Sequence, residues 1–384
     1  MKYGVLIHDK TKNIGDDIQS YAAACFLPSI DYMVDRDSID TFKSHNNEKV
    51  SVIMSGWWGW KKWNWPPPEC IIPKLVGMHI MDYDVRSWGS PIYDEHLNGL
   101  GGEYLRCYSP VGCRDEHTLN LLKKHNIDSY FSGCITLTLP KMKKKKSKTK
   151  YICLVDVNDE VINKTKKIAK EKNVEVKIIT HSLPEGREKM SWEKRSKSVE
   201  KLLTIYQNSE CVITTRLHAM LPCFAMEIPV LCINDSSNRS RFLPYTNWCD
   251  CITTEQFLNN DINIFNLKCN SKQIKKIRTE MINSIRQFIE KTKNGDLKKL
   301  TLPEYTNEEK IKWQNQLMKD TLDRWLDESR KLLEDYWSAE DKCKNLENKL
   351  WENEQKFAMM ENSKGWKMLE KLRLIKFKIF RNFK

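Results

Sequence analysis

The chain has no paired-cysteine spacing, no long unbroken apolar run and no nucleic-acid motif. It holds thirteen cysteines, an odd number, and none of them forms a C-x-x-C pair; the nearest neighbours are Cys249/Cys251 and Cys107/Cys113. That spacing excludes the common zinc sites and any sequence-readable disulfide framework, so no metal and no cofactor is expected. Cys25, Cys153, Cys211, Cys223 and Cys232 lie inside apolar runs, where a free thiol behaves as a small hydrophobe. The longest apolar stretch, 211–233, is broken by Arg216, His218, Pro222, Glu227 and Pro229, which argues against a membrane-spanning helix. The opening MKYGVLIHDKTKNIG has too short an apolar segment for a signal peptide. These absences point to a reduced, cytoplasmic protein.

What is present bounds the rest. With 384 residues there is room for two to three domains of ordinary size. The net charge is +13, which implies an anionic partner. The excess is uneven: residues 141–150 (KMKKKKSKTK) hold seven lysines, and residues 364–384 hold eight Lys/Arg against one Glu. The lysine run has no aromatics interleaved and reads as a solvated linker rather than a nucleic-acid site, so no nucleic-acid partner is expected.

Short apolar runs alternate with amphipathic ones. YGVLI (3–7) and VSVIM (50–54) read as strands, and 17–27 and 115–124 as helices. After the linker, strands at 151–157, 174–180, 210–215 and 229–234 alternate with helices at 159–172, 198–209 and 216–227, and 271–293 reads as a helix that closes this second unit. Such alternation predicts parallel sheets with crossover helices. The expected organisation is an N-terminal Rossmann-like domain (1–140), the linker (141–150), a second Rossmann-like domain (151–300) and a helical tail (301–384). Two such domains facing each other make a cleft at the C-terminal ends of their strands. In the tail, Leu322, Tyr336, Cys343, Leu350 and Phe357 fall on one heptad position and Trp325, Leu332, Ala339, Leu346 and Met360 on another. That pattern predicts a coiled coil and a homo-oligomer, with a monomeric helix as the alternative. Residues 364–384 mix Trp, Phe, Leu and Ile with basic residues, as segments lying on an anionic membrane surface do.

The stretch ECVITTRLHAMLPCFAMEIPVLCIN (210–234) carries the chemistry. A strand ends at Thr215, and a helix begins with Arg216 and His218 in its first turn. Backbone N–H groups, the positive dipole end and an arginine make an anion site there. His218 can exchange a proton near neutral pH. A second feature is SGWWGWKKWNWPPP (55–68), with tryptophans at 57, 58, 60, 63 and 65. Tryptophan faces stack on sugar rings, and the alternative is simple packing.

The pattern VITTRLHAMLPCFAMEIPVL resembles the C-terminal signature of the polysaccharide pyruvyl transferase family. YGVLI…NIGDDIQSYAA resembles that family's first strand, turn and helix, through Asn13, Gly15, Asp16 and Gln19. VGCRDEHTLNLLKKHNIDSYFSGCITLTL resembles its next helix and strand, with Arg114 at the arginine position. The resemblance implies a glycosyltransferase-B-like fold. It implies transfer of the enolpyruvyl-derived group of phosphoenolpyruvate (PEP) to two hydroxyls of a glycan or lipid-linked saccharide, with phosphate leaving. It places His218 as the acid that protonates the donor methylene, and Arg114 and Arg216 as clamps for the donor's anions. The family's basic residue after the IPV strand has no direct counterpart; Arg239 or Arg241 is available. Asn13, Gly15, Asp16, Trp57, Trp58 and Trp60 are expected on the acceptor side, with Asp16 as a hydroxyl base or a helix cap. A cell-envelope setting implies a peripheral protein on the inner face of the membrane. Competing readings are a nucleotide-sugar glycosyltransferase, with Glu227 as its carboxylate, and a non-catalytic membrane-docked scaffold.

Overall fold

The computed structural model describes the chain except residues 10, 59–64, 81–96, 98, 145–148, 184–189, 236–240, 268–270, 296–306 and 382–384. It divides into two compact units, Met1–Gln314 and Asn315–Lys384.

The first unit contains two sheets. One is built from β1 (Lys2–Ile7), β2 (Tyr32–Asp35), β3 (Val50–Trp58), β4 (Ile71–Ile80), β5 (Val111–Cys113) and β6 (Ser129–Phe131). Its strands run in the order β2-β1-β3-β4-β5-β6, all parallel. The other contains β7 (Tyr151–Val155), β8 (Glu175–Ile179), β9 (Cys211–Thr214), β10 (Val230–Ile233) and β11 (Asp250–Ile252). Its order is β11-β10-β9-β7-β8, again all parallel. Most strands are apolar runs buried on both faces, as parallel strands covered by helices must be. Each order reverses once, between β1 and β3 and between β7 and β9. Crevices at such reversals are where open α/β sheets bind ligands.

Helix α1 (Ile14–Ala24) starts three residues before the expected Asp17, because Asn13 and not an aspartate is its N-cap. Helices α2 (Gly99–Cys107) and α3 (Glu116–Lys124) complete the described helices of the first sheet; α4 (Asp159–Glu171), α5 (Trp192–Gln207), α6 (Leu217–Met226) and α7 (Thr254–Asn259) belong to the second. Strand β3 continues four residues past the expected Met54, with a register shift between Met54 and Gly56. The first two tryptophans therefore lie on a strand, where aromatic side chains are favoured, and not in a loop.

Helix α8 (Ser271–Lys293) was expected to close the second domain. It packs against elements of both sheets: besides its contacts with the second, Arg278 donates from Nε to the Leu137 carbonyl (3.0 Å) and from Nη2 to the Leu139 carbonyl (2.9 Å), in the segment that follows β6. Its Met281 and Ile285 join one core with Ile18 of α1, Ile135, Leu203 of α5 and Leu221 of α6. The two sheets are thus packed on a common apolar interior.

The tail is helical, as expected. Helix α9 (Asn307–Asn362) is followed by α10 (Lys364–Arg381). Among the heptad positions, Leu322, Trp325, Leu332, Tyr336, Leu346, Leu350 and Phe357 are exposed. Among the described residues no helix is long and apolar enough to cross a membrane.

Candidate active site

Residues at both strand-order reversals meet around His218. On the second sheet, β9 ends at Thr214, whose Oγ1 accepts the Arg216 N–H (2.9 Å) and shapes the turn into α6. Arg216 is the N-cap residue, extended at φ −101° and ψ 126°, and among the described residues no side chain caps the helix. This leaves its N-terminal dipole open to an anion. Asp156 follows β7 in a left-handed conformation (φ 50°). Its Oδ2 accepts the His181 N–H (3.0 Å) and Arg216 Nε (2.7 Å). Burial alone would raise the Asp156 carboxyl, but bonds from Thr180, His181 and Arg216 bring it below its ordinary value. The arginine is thereby oriented while its side chain stays 43% exposed.

The first sheet supplies the turn after β1. Asn13 Oδ1 accepts the Gly15 N–H (2.9 Å). The turn is stitched to the loop after β8, where Ile14 N–H donates to the His181 carbonyl (2.9 Å) and Leu183 N–H to the Lys12 carbonyl (2.7 Å). Gly15 packs closely on His218: a Cβ there would lie 3.0 Å from both Cβ and Nδ1 of the histidine. On the ring's other side, Cys134 Sγ is 3.8 Å from His218 Nε2. Gln19 Oε1 lies 3.9 Å from that sulfur and accepts Arg114 Nη1 (3.4 Å).

Arg114 is 2% exposed. Its backbone is fixed on both sides, by N–H donation to the Met78 carbonyl (2.8 Å) and by the Tyr245 hydroxyl on its own carbonyl (2.6 Å). Among the described residues its buried Nε has no partner. Buried polar groups are almost always paired, and a buried cation all the more so. An anion is the natural complement.

Burial, and then the charge of Arg114, push the His218 imidazole well below its ordinary range, against an opposing pull from Asp16. The ring is therefore neutral when the crevice holds only protein. Burial tends to raise Asp16, but His8, Arg36 and the bond from the Thr11 hydroxyl (2.6 Å) hold it below its usual value. Asp16 is a charged neighbour within the first turn of α1, not its cap.

The sequence-predicted residues separate clearly. Asn13, Gly15, Asp16, Arg114 and His218 converge, and Arg216 stands at the α6 N-terminus beside them. Trp57 is half-buried, with the Arg241 guanidinium 5.3 Å over its ring and His79 5.9 Å away between ring centroids. Trp58 does not fit an acceptor role. It is 1% exposed and packs edge-on against Trp65 (5.0 Å), which in turn meets Tyr104 (5.3 Å). That is a core aromatic stack with no face for a sugar. Trp60 and Arg239 lie outside the described residues. Glu227, the carboxylate of the glycosyltransferase alternative, is at the far end of α6, in a left-handed cap and paired with Lys141 (2.5 Å).

Four residues of the crevice were not singled out from sequence: His8, His79, Asp156 and His181. Each is a polar residue at or just after the C-terminal end of a parallel strand, which is the signal that finds them. Burial depresses His8, His79 and His181 to about 4 each. His181 Nε2 is bonded to the Tyr206 hydroxyl (2.6 Å), and His79 Nδ1 to Asp115 Oδ2 (2.5 Å). Among the described residues no group of three or more His, Cys, Asp or Glu is arranged to hold a metal ion.

Comparison with known proteins gives one family: the model described as polysaccharide pyruvyl transferase matches residues 13–237. No curated protein matches the chain. Similar solved structures include an uncharacterized protein of Klebsiella pneumoniae (14% identity, TM-score 0.36, covering 66% of this chain and 93% of that one). A UDP-GlcNAc 2-epimerase of Methanocaldococcus jannaschii, solved with UDP-GlcNAc and UDP, is another (12%, TM-score 0.33, covering 74% and 100%). MnaA of S. aureus, solved with UDP, is a third (10%, TM-score 0.37, covering 76% and 91%).

Proposed function

The chain belongs to the polysaccharide pyruvyl transferase family, and from that premise we propose that it uses PEP to form a cyclic pyruvate ketal on two hydroxyls of one sugar. The observation that carries the donor assignment is the buried guanidinium of Arg114, whose Nε has no partner among the described residues, beside a neutral His218. PEP brings a phosphate and a carboxylate, and arginine forks suit both. Arg114 and Arg216 are the clamp, with Arg241 near enough to act on His218 electrostatically.

The same charges explain how His218 becomes an acid. Burial and then Arg114 depress it in the protein alone, and an anion bound on Arg114 offsets the second of these and raises the imidazole toward protonation. The donor thus arms its own acid. His218 protonates the methylene carbon, C2 becomes electrophilic, an acceptor oxygen adds, and phosphate departs. The test is phosphate release from PEP that requires a sugar acceptor. His218→Ala should abolish turnover and Arg114→Ala should abolish PEP binding. Absence of both turnover and PEP binding in the unaltered protein, across a broad acceptor panel, would refute the reading.

Two features of the tail support, in turn, a setting at a membrane and self-association. The basic, apolar segment 364–384 suits an anionic surface. The exposed heptad residues of α9 suit pairing with a second copy. A lipid-linked saccharide on the inner face of the cell membrane is the acceptor this arrangement favours. Binding of the full chain to anionic but not neutral vesicles tests the first point, and its mass in solution tests the second.

A further inference from the structure

Ketal formation removes protons from two hydroxyls and adds only one to the donor methylene. A base must therefore take a hydroxyl proton as that oxygen attacks. A second imidazole in the crevice has the geometry of such a base. His79 lies one residue before the end of β4, and Asp115 follows Arg114 just beyond β5. The two strands are neighbours with Met78 opposite Cys113, and this register sets the two side chains together at 2.5 Å.

The tautomer follows from the charge. Asp115 would be raised by burial, but the His79 bond, Arg114 and the Thr118 N–H bring it down to about 2. It is a carboxylate and can only accept, so His79 Nδ1 carries the proton and the lone pair is on Nε2. Nε2 is directed away from Asp115, and no described residue bonds it. The carboxylate is rigidly held, since its Oδ1 accepts the Thr118 N–H (2.8 Å) at the start of α3. Capping α3 needs only that oxygen; Oδ2 is given to the imidazole. A neutral imidazole oriented by a buried carboxylate is the arrangement that takes protons from hydroxyls in serine hydrolases. Trp57 is opposite His79 in the strand register, and its indole stands 5.9 Å from the imidazole, tilted by 53°. Arg114 and Arg241 act electrostatically on both His79 and His218, so the two imidazoles share one charged environment.

Resting on the pyruvyl-transfer reading above, we propose that His79, oriented by Asp115, is the base that takes the proton of the attacking acceptor hydroxyl, with Trp57 beside the acceptor sugar. The protons then balance. His218 gives its proton to the methylene carbon. The first hydroxyl breaks its O–H bond, its proton goes to His79 Nε2, and its electron pair forms the bond to C2. The bond from C2 to the phosphate oxygen breaks, and phosphate leaves with the His79 proton. The second hydroxyl closes the ketal and returns a proton to His218. Both imidazoles end as they began.

The test uses full-length protein carrying His79→Gln or Asp115→Asn, with kcat from phosphate release, PEP affinity from calorimetry, and the pH dependence of kcat. Asp115→Asn keeps an oxygen for the α3 cap but sets an amide N–H against Nδ1, favouring the wrong tautomer. Both variants should bind PEP within about twofold of the unaltered protein and lose about 10²-fold or more in kcat. The acid limb of the pH profile should vanish in His79→Gln. A His79→Gln protein with kcat within about threefold of normal and the same pH profile would overturn the assignment of the base while leaving pyruvyl transfer standing. Loss of PEP binding in that variant would also overturn it, by making His79 a donor-site residue. An unaltered protein without acceptor-dependent phosphate release would remove the reading beneath it as well.

Discussion

Gly15→Ala probes the contact between the turn after β1 and the His218 ring. The added Cβ would stand 3.0 Å from His218 Cβ, 3.0 Å from His218 Nδ1 and 3.0 Å from Asn13 Oδ1. These contacts are tighter than ordinary van der Waals packing, so each neighbour must yield by a few tenths of an ångström. Gly15 lies in helix α1, so alanine also gains up to about 1 kcal/mol of helix propensity. Overpacking costs about 1–3 kcal/mol, and the net loss of stability should be about 0–2 kcal/mol. The loss of function should be larger than that. Misplacing a catalytic group by 1 Å can cost about 10²-fold, so a shift of a few tenths of an ångström should cost several-fold, up to about tenfold, in kcat. The assay pairs urea unfolding with acceptor-dependent phosphate release. A Gly15→Ala protein with normal kcat would show that the position of His218 against this turn is immaterial to the chemistry.

The remaining expectations concern pH, the tryptophans and Asp156. His8, His79 and His181 have pKa values near 4 in the fold against an ordinary 6.5, so only the unfolded chain takes up their protons between those limits. Their contribution, about 3 kcal/mol each at most, is complete above pH 6.5 and lost as pH falls to 4. Urea midpoints should drop steeply from pH 6.5 to 5, and a flat profile would contradict the buried neutral imidazoles. Trp58→Ala should cost about 3–5 kcal/mol of stability as a core truncation, whereas Trp57→Ala should unfold normally and raise acceptor KM; the reverse pattern would overturn their placement. Asp156→Ala frees Arg216 from its 2.7 Å bond and should weaken PEP binding about tenfold. Unchanged affinity by calorimetry would show that Arg216 needs no orientation.

The parts of this fold that were legible in sequence are those whose signal is local. The second sheet's strands and helices stand out because 151–155, 211–214 and 230–233 are short apolar runs, and their strand-like length between amphipathic segments favours buried strands. That α8 packs on both sheets was not legible, since an apolar stripe names no partner and only the shared core with Ile18 and Leu221 shows it. The tryptophan patch misled for a similar reason. Composition alone cannot show that β3 runs on to Trp58, or that Trp65 and Tyr104 wait to cover it. Arg216 and His218 were readable because strand, turn and helix are contiguous. His79 and Asp115 were not: they are 36 residues apart and meet only through strand register.

The most direct measurement is a crystal structure of the protein with PEP bound. PEP should lie between the two strand-order reversals, with Arg114 Nε bonded to one of its anionic groups, Arg216 at another, and His218 against the methylene carbon. PEP bound away from Arg114 and His218, or no PEP bound at saturating concentration, would contradict the assignment of this crevice as the donor site.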